Sequence, residues 1–532
     1  MRFTTSLLLA ASDLVLAQTI EPAGFNVTNA LYQYGIDVSA ITQLSADLTQ
    51  RSTSAGCSVA CGTLELLYGS KRLLSQNTAA YSNTTGAYWS GQQEEVDPAC
   101  IFIPAAATDV SILVLLSRLT SCPFAVKSGG HAAFAGASNI AAGITVLLQD
   151  LDGISLNKDK SVASIGPGLT VLEIYSALEP YGLTVVGART SSIGVGGFTT
   201  GGGVSYYSNL AGWACDNVQS YEVVTPWGLI ITASATQHTD IYWALRGGGN
   251  NFGIVTKFNL YTLESTELWG GEIVYLQSEF PAVLSAFIDV INHAEEDGHA
   301  QQWLAFVQSG GVPLASAEIT YTKNEPWPTI FSKYKNITAI SDNTSPRTLV
   351  EYVEHIETEN PFGLRESYWP HSSLVDEEFA NWVVDYWYSL TPALTDGTTI
   401  NPVIIFHGIT VPMLKKMTNY GGNALGLDAS SGPLFIMQAA FMWTDSADDD
   451  AVYQFAYNFW ETVNAKSKEM GIYHEFVYMN YASLYQDVVS GYGSTNKARL
   501  QKISASYDPQ GVFQTLQPGY FKLDRAPYSY PF

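Results

Sequence analysis

The stretch Phe124–Asn139, FAVKSGGHAAFAGASN, carries the residues best suited to chemistry in this chain. Phe124, Ala125 and Val126 read as the end of a buried strand, which breaks into Lys127, Ser128, Gly129, Gly130 and His131. Backbone that leaves a strand through glycines presents bare N–H groups, and such concavities hold anionic phosphate. A histidine inside that loop stands where the reactive end of a bound group could be reached. Gly136, Ser138 and Asn139 carry the turn onward. Taken alone, the stretch is equally a glycine-rich turn with an incidental histidine.

Two further glycine-rich stretches follow apolar segments, and they shift that balance. Gly187–Gly203 reads GARTSSIGVGGFTTGGG, and Gly247–Gly253 reads GGGNNFG. The first also holds Ile193, Val195 and Phe198, so it is a packed loop whose backbone runs close to something, not a flexible linker. No stretch satisfies the dinucleotide fingerprint G-x-G-x-x-G, and no Walker A, H-E-x-x-H, C-x-x-C or G-x-S-x-G motif occurs. The 8 histidines show no ligand spacing. A metalloenzyme or serine hydrolase is therefore a poor fit, and no metal site is assigned. What remains is a backbone cradle for a large anionic cofactor, one histidine within it, and aromatic hydroxyls near the C-terminus.

The elements that must position the cradle can be read in order. Ile101–Ile103 is a strand stopped by Pro104, and Thr108 caps a helix with Val110, Leu113, Val114 and Leu116 at helical spacing. With Phe124–Val126 this makes a βαβ unit, and its loop sits at the carboxyl end of a strand, where such sheets bind ligands. Further strands are expected at Ile144–Leu148, Val162–Ile165, Val218–Thr225, Leu229–Ala233 and Ile254–Leu263. Asp240 is expected to cap a short helix over Ile241–Arg246. Beyond residue 266 longer elements alternate, with strands at Gly271–Tyr275, Trp303–Val307, Ala317–Tyr321, Pro402–Ile409 and Leu434–Trp443. Ala451–Lys468 is the clearest helix; Asp448–Asp450 suit its positive end better than they suit a metal, and Gly471 suits its exit.

The gross numbers bound the rest. A chain of 532 residues needs more than one core. Hydrophobic content of 46% against 14% charged residues is that of a well-buried globular protein. A formal net charge of −24 argues against nucleic acid as a partner. Residues 1–17 read as a secretory signal peptide, too short for a membrane span, and no later stretch is apolar enough for one. Asn26, Asn83, Asn336 and Asn343 open N-x-[ST] acceptors. Cys57, Cys61, Cys100 and Cys122 suggest two disulfides of unspecified pairing, with Cys215 left free. These features point to a secreted, extracellular protein.

The motifs together resemble the berberine-bridge-enzyme-like branch of the FAD-linked oxidases with the vanillyl-alcohol-oxidase (PCMH-type) fold. The matching pieces are KSGGH at Lys127–His131, GVGGFTTGGG at Gly194–Gly203, GWACDNV at Gly212–Val218, DIYWALRGGGNNFGIV at Asp240–Val255, and the C-terminal segments Tyr478–Tyr481, Tyr492–Leu500 and Tyr507–Phe513. The resemblance implies an α+β fold: a two-part FAD-binding domain over 18–265 and 475–532, and an α/β substrate domain with an antiparallel sheet over 266–474. It implies that FAD lies against Lys127, Ser128, Gly129, Gly130, Ser138, Thr190, Ile193, Gly194, Gly196, Gly197, Gly201, Gly202, Gly203, Val255 and Asn480, joined through its 8α carbon to His131. Bicovalent relatives carry a cysteine where this chain has Thr190, so a single link is expected; Ala133 replaces a frequent aromatic hydroxyl. Ile193 stands where the family gates oxygen beside the flavin and does not settle oxidase against dehydrogenase. Tyr478 is expected to help remove a substrate hydroxyl proton, with Gln438 facing the pocket. The implied partners are a small-molecule donor (a sugar or secondary-metabolite alcohol) and O2, acting on a monomer. The rival is a catalytically silent, carbohydrate-binding glycoprotein on the same fold.

Overall fold

The computed structural model describes residues 20–38, 53–265 and 267–531; the expected signal peptide lies outside them. Among the described residues the strands form sheets of four, six and nine strands, a mixed α+β architecture.

The four-stranded sheet carries the histidine loop. Cys100–Phe102 and Phe124–Lys127 both run parallel to Ile144–Leu147, which slots between them. The crossover helix is Ala107–Thr120, with Val110, Leu113, Val114 and Leu116 buried. Its start differs from expectation: Thr108 falls inside the first turn and Ala106 holds the cap position. Asp109 reaches back instead, its carboxylate accepting the N–H groups of Ala105 and Ala106 at 3.0 Å each. Two disulfides, Cys57–Cys122 and Cys61–Cys100, tie the helix Thr53–Tyr68 to this sheet, and Cys215 is free and buried. The strand that delivers His131 is thus braced immediately upstream, at Cys122.

The six-stranded sheet places Ile254–Glu264 between Val162–Ile165 and Val218–Val224, antiparallel to both. Thr239–Leu245 forms the short helix, but His238 holds its cap position and Asp240 lies in the first turn. The Asp240 carboxylate instead accepts the Tyr507 hydroxyl at 2.8 Å, drawing the C-terminal segment onto this half.

The nine-stranded sheet is antiparallel throughout its paired strands and obeys a strict alternation. Leu304, Phe306, Ile404, Phe406, Met437, Ala439 and Phe441 form part of an apolar core on one face. That core is closed by the helices Phe280–His293, Glu377–Thr395 and Asp449–Glu469, all of which contribute to it. Side chains alternate across a strand, so the residues between these must face the other way, toward the cofactor half. Asp448, Asp449 and Asp450 sit at the start of Asp449–Glu469, and Asp449 receives the Arg365 guanidinium and the Trp443 indole N–H. Of the sequons, Asn26, Asn83 and Asn336 are exposed, whereas Asn343 is half-buried and accepts the Glu272 N–H at 2.7 Å.

Candidate cofactor and active site

A cavity of about 670 Å³ lies between the glycine loops and the second face of the nine-stranded sheet. Ser128, Gly129, Gly130, His131, Ser138, Thr190, Ile193, Gly194, Gly196, Gly197, Val255 and Asn480 line it, as does Gln438. The first two loops touch backbone to backbone. A Cβ on Gly129 would stand 2.3 Å from the Gly194 nitrogen, and one on Gly194 would stand 2.2 Å from that of Gly129. Gly196 donates its N–H to Ser128 Oγ at 3.2 Å, while the space where Gly197 would carry a side chain is empty. The result is a wall of bare backbone, the arrangement that suits pyrophosphate.

His131 stands at the edge of this wall, its ring stacked on Trp89 with centroids 4.3 Å apart. Nε2 is buried and has no partner. Burial pushes the imidazole pKa down to about 4, with Glu357 acting in the opposite direction. The ring is therefore neutral at physiological pH, and one nitrogen keeps a lone pair.

Four residues expected against the cofactor do not line the cavity. Strand alternation continues through Lys127, so Val126 and Ser128 face the cavity and Lys127 turns away from it. Its ammonium donates to the Ala87 carbonyl at 2.7 Å and lies 3.5 Å above the Tyr88 ring. It supports the loop from behind. Gly201, Gly202 and Gly203 also stand behind the wall: a Cβ on Gly201 would meet Asn480 Oδ1 at 2.0 Å, and one on Gly203 would meet Ala214 at 2.6 Å. Their smallness serves packing within the protein.

Tyr478 is bound within the protein. Its ring lines the cavity, but its hydroxyl oxygen accepts N–H groups from Gly203 at 3.2 Å, Val204 at 3.1 Å and the Asn480 side chain at 3.1 Å. Three donors leave the oxygen no lone pair for a substrate proton, and burial pushes its pKa up. Tyr478 is a clasp between the C-terminal segment and the second loop. Three residues on, Tyr481 accepts from the Arg189 guanidinium, and its ring lies 5.1 Å from that of His407. His407 Nε2 lies 3.4 Å from Gln438 Oε1, and Arg189 sits 4.6 Å over the Trp303 ring. All five of these side chains line the cavity.

Of the sheet wall, only Gln438 was expected to face the pocket. It is built from alternate residues: Glu272; Ser316 and Glu318; Trp303, Ala305 and Val307; Asn401, Val403, Ile405 and His407; Gln438, Ala440 and Met442; Glu366 and Tyr368. Glu272 and Glu318 are directly opposed on neighbouring strands, a costly placement for like charges. Burial, opposed by the Tyr352 hydroxyl and reinforced by Glu359 and Glu272, pushes Glu318 up to about 8. Burial alone pushes Glu366 up to about 9, and neither of its oxygens has a partner. The sequence marked these strands but not their inner face; the two-residue period from Trp303 to Val307 and from Asn401 to His407 was the available signal.

The bare-backbone cradle and the orphaned, neutral imidazole fit FAD, whose phosphates need N–H donors and whose ring system needs an apolar slot. The comparisons agree. A family model described as "FAD binding domain" matches residues 98–234, and one described as "Berberine and berberine like" matches residues 477–518. The chain is 32% identical over 510 residues to the FAD-dependent monooxygenase tpcD of Cochliobolus heterostrophus, covering 92% of this chain and 98% of that one. It is 35% identical over 451 residues to the FAD-dependent monooxygenase FUP4 of Fusarium proliferatum, covering 82% and 87%. Two solved structures share the fold: 6-hydroxy-D-nicotine oxidase of Arthrobacter nicotinovorans (TM-score 0.72, 20% identity, 85% and 97% covered) and xylooligosaccharide oxidase of Myceliophthora thermophila C1 (TM-score 0.70, 19% identity, 88% and 100% covered). Fold and site define an FAD-dependent oxidoreductase. The chain belongs to the berberine-bridge-enzyme-like family of FAD-linked enzymes.

Proposed function

We propose that this protein is a secreted, monomeric oxidase of an alcohol or related C–H donor, of sugar or secondary-metabolite type, with its flavin tethered once, to His131. The observation that carries the tether is the buried, neutral imidazole at the edge of the cradle. Thr190 offers no thiol for a second link. On this reading residues 18–265 and 475–532 hold the cofactor and 266–474 present the sheet wall to the donor.

Bound FAD supplies the two-electron acceptor to which the donor carbon passes hydride. The remaining work falls to the side chains. Tyr481, held by Arg189, receives the hydroxyl proton of the donor. His407 and Gln438 orient the donor's polar groups, and Trp89 and Trp303 pack its faces. The two halves exclude water from the slot between them. O2 is the acceptor available outside the cell and leaves as H2O2.

Acid precipitation tests the tether: a yellow pellet with a colourless supernatant supports it, and free FAD in the supernatant refutes it. A colourless purified protein would instead support the silent glycoprotein. A panel of sugars and aromatic or aliphatic alcohols, read by peroxide formation, tests the reaction; donor oxidation with a dye but without peroxide would mark a dehydrogenase. The relatives' name, monooxygenase, favours one further reading. Labelled O2 separates the two: label confined to peroxide means oxidase, and label in the product means oxygen insertion.

A further inference from the structure

The helix Leu349–Glu357 ends on a carboxylate bonded to the second glycine loop. Glu357 Oε2 accepts the Ser191 hydroxyl at 2.7 Å and the Ser192 N–H at 2.9 Å. Ser192 in turn lies against that loop, since a Cβ on Gly129 would stand 3.0 Å from its carbonyl oxygen. The second oxygen, Oε1, is buried without a partner, and so is His131 Nε2. Glu357 is also the charge that acts on the His131 ring. Trp89 stacked at 4.3 Å and the edge of Phe362 at 6.4 Å confine that ring. A buried carboxylate oxygen and a buried ring nitrogen, each without a partner where the two loops meet, become complementary once Nε2 carries the ring proton.

We propose that Glu357 is the positioning residue for joining FAD to His131. The proposal rests on the reading that His131 carries the flavin. The free Oε1 draws the ring proton to Nε2, away from the bond the ring makes to its own backbone, so that Nδ1 becomes the bare nitrogen that bonds to the 8α carbon. One methyl C–H and the imidazole N–H are lost as the C–N bond forms. The two electrons reduce the flavin and pass to O2, which leaves with both protons as H2O2; Glu357 holds the imidazole proton in transit.

The test compares the purified wild-type protein with Glu357→Gln, Glu357→Asp and Ser191→Ala. It measures total flavin per chain by absorbance, the share retained after acid precipitation, and the mass of the peptide containing His131. Glutamine can still accept both bonds that Oε2 makes, so the loop is kept and only the carboxylate charge is lost. Glu357→Gln is expected to bind as much FAD in total while its covalent share falls about tenfold, the scale on which a histidine loses function with its orienting partner. Ser191→Ala is expected to keep the wild-type share. A Glu357→Gln share equal to wild type overturns the proposal. So does an equal loss in Ser191→Ala, which would assign the effect to the loop. Should Glu357→Gln hold no flavin, Glu357→Asp decides, because a retained carboxylate must give covalent flavin and complete release by acid overturns the role. Release of flavin from the wild-type protein is a different failure, that of the tether itself.

Discussion

The two walls of the cavity are built on opposite principles. The cofactor wall works through backbone: Gly129, Gly194, Gly196 and Gly197 matter because they lack side chains, and His131 is the one chemical side chain among them. The sheet wall works through side chains that alternate along ordinary strands, and its backbone serves the pairing of those strands. Where its loops touch, at Gly129 and Gly194, the first wall leaves no room for an added atom, whereas the second can exchange residues without moving a strand. One wall is thus fixed to one ligand and the other is free to vary with the donor.

That contrast is open to test, beginning where the largest effect is expected. Gly129→Ala forces a Cβ onto the Gly194 backbone; it should cost about 3 kcal/mol and empty the protein of flavin, checked by the absorbance ratio and thermal denaturation. Retention of full flavin would show that the cradle yields more readily than its contacts imply. Tyr481→Phe, which touches the proposed proton acceptor and no glycine contact, should leave flavin content unchanged and slow flavin reduction about 100-fold, measured by stopped flow with the donor found in the panel. A smaller effect is expected from Tyr478→Phe. It orphans the N–H groups of Gly203, Val204 and Asn480, lowering stability by about 2 kcal/mol, while the reduction rate of the folded enzyme stays close to wild type. A collapse of that rate would restore the role expected of Tyr478 from its motif.

The smallest effect concerns Glu318. A glutamate in the unfolded chain titrates near 4.3, whereas Glu318 is held up to about 8 by burial and its carboxylate neighbours. Between those values the unfolded state has released a proton that the folded state still keeps, so stability falls as pH rises across that window. Glu318→Gln does not share the fall. The two proteins should melt together near pH 5, and the variant should be ahead by about 1–2 kcal/mol near pH 8. Parallel melting curves would mean that Glu318 ionises normally.

The same contrast explains how much could be read from residues alone. Glycines that backbone contact requires are visible in any sequence, so the loops around His131 and Gly194 were found in order, together with the α+β class and the free Cys215. Lys127 misled because its type suits phosphate, while its place in the pleat turns it away. Thr108 and Asp240 misled because capping residues also serve from inside a turn, as Asp109 does, or hold a distant partner, as Asp240 holds Tyr507. The sheet wall, Gln438 apart, stayed hidden for a simpler reason. An alternating strand announces two faces, and only the fold decides that the more polar one is roofed by another part of the chain instead of by water. Arg189, Glu366, His407 and Tyr481 acquire their meaning from that roof.

The Tyr478 clasp also sets an order of events during synthesis. Its hydroxyl meets Gly203 and Val204 across sequence separations of 275 and 274 residues. At roughly 5–20 residues per second, the second loop waits about 15–55 s for the tyrosine that secures it. Before then Gly203 and Val204 have no tyrosine to bond, and the cradle is open along one side. Flavin capture therefore belongs to the finished chain, and a ribosome stalled ahead of Tyr478 should display a polypeptide that folds its first sheet and holds no colour.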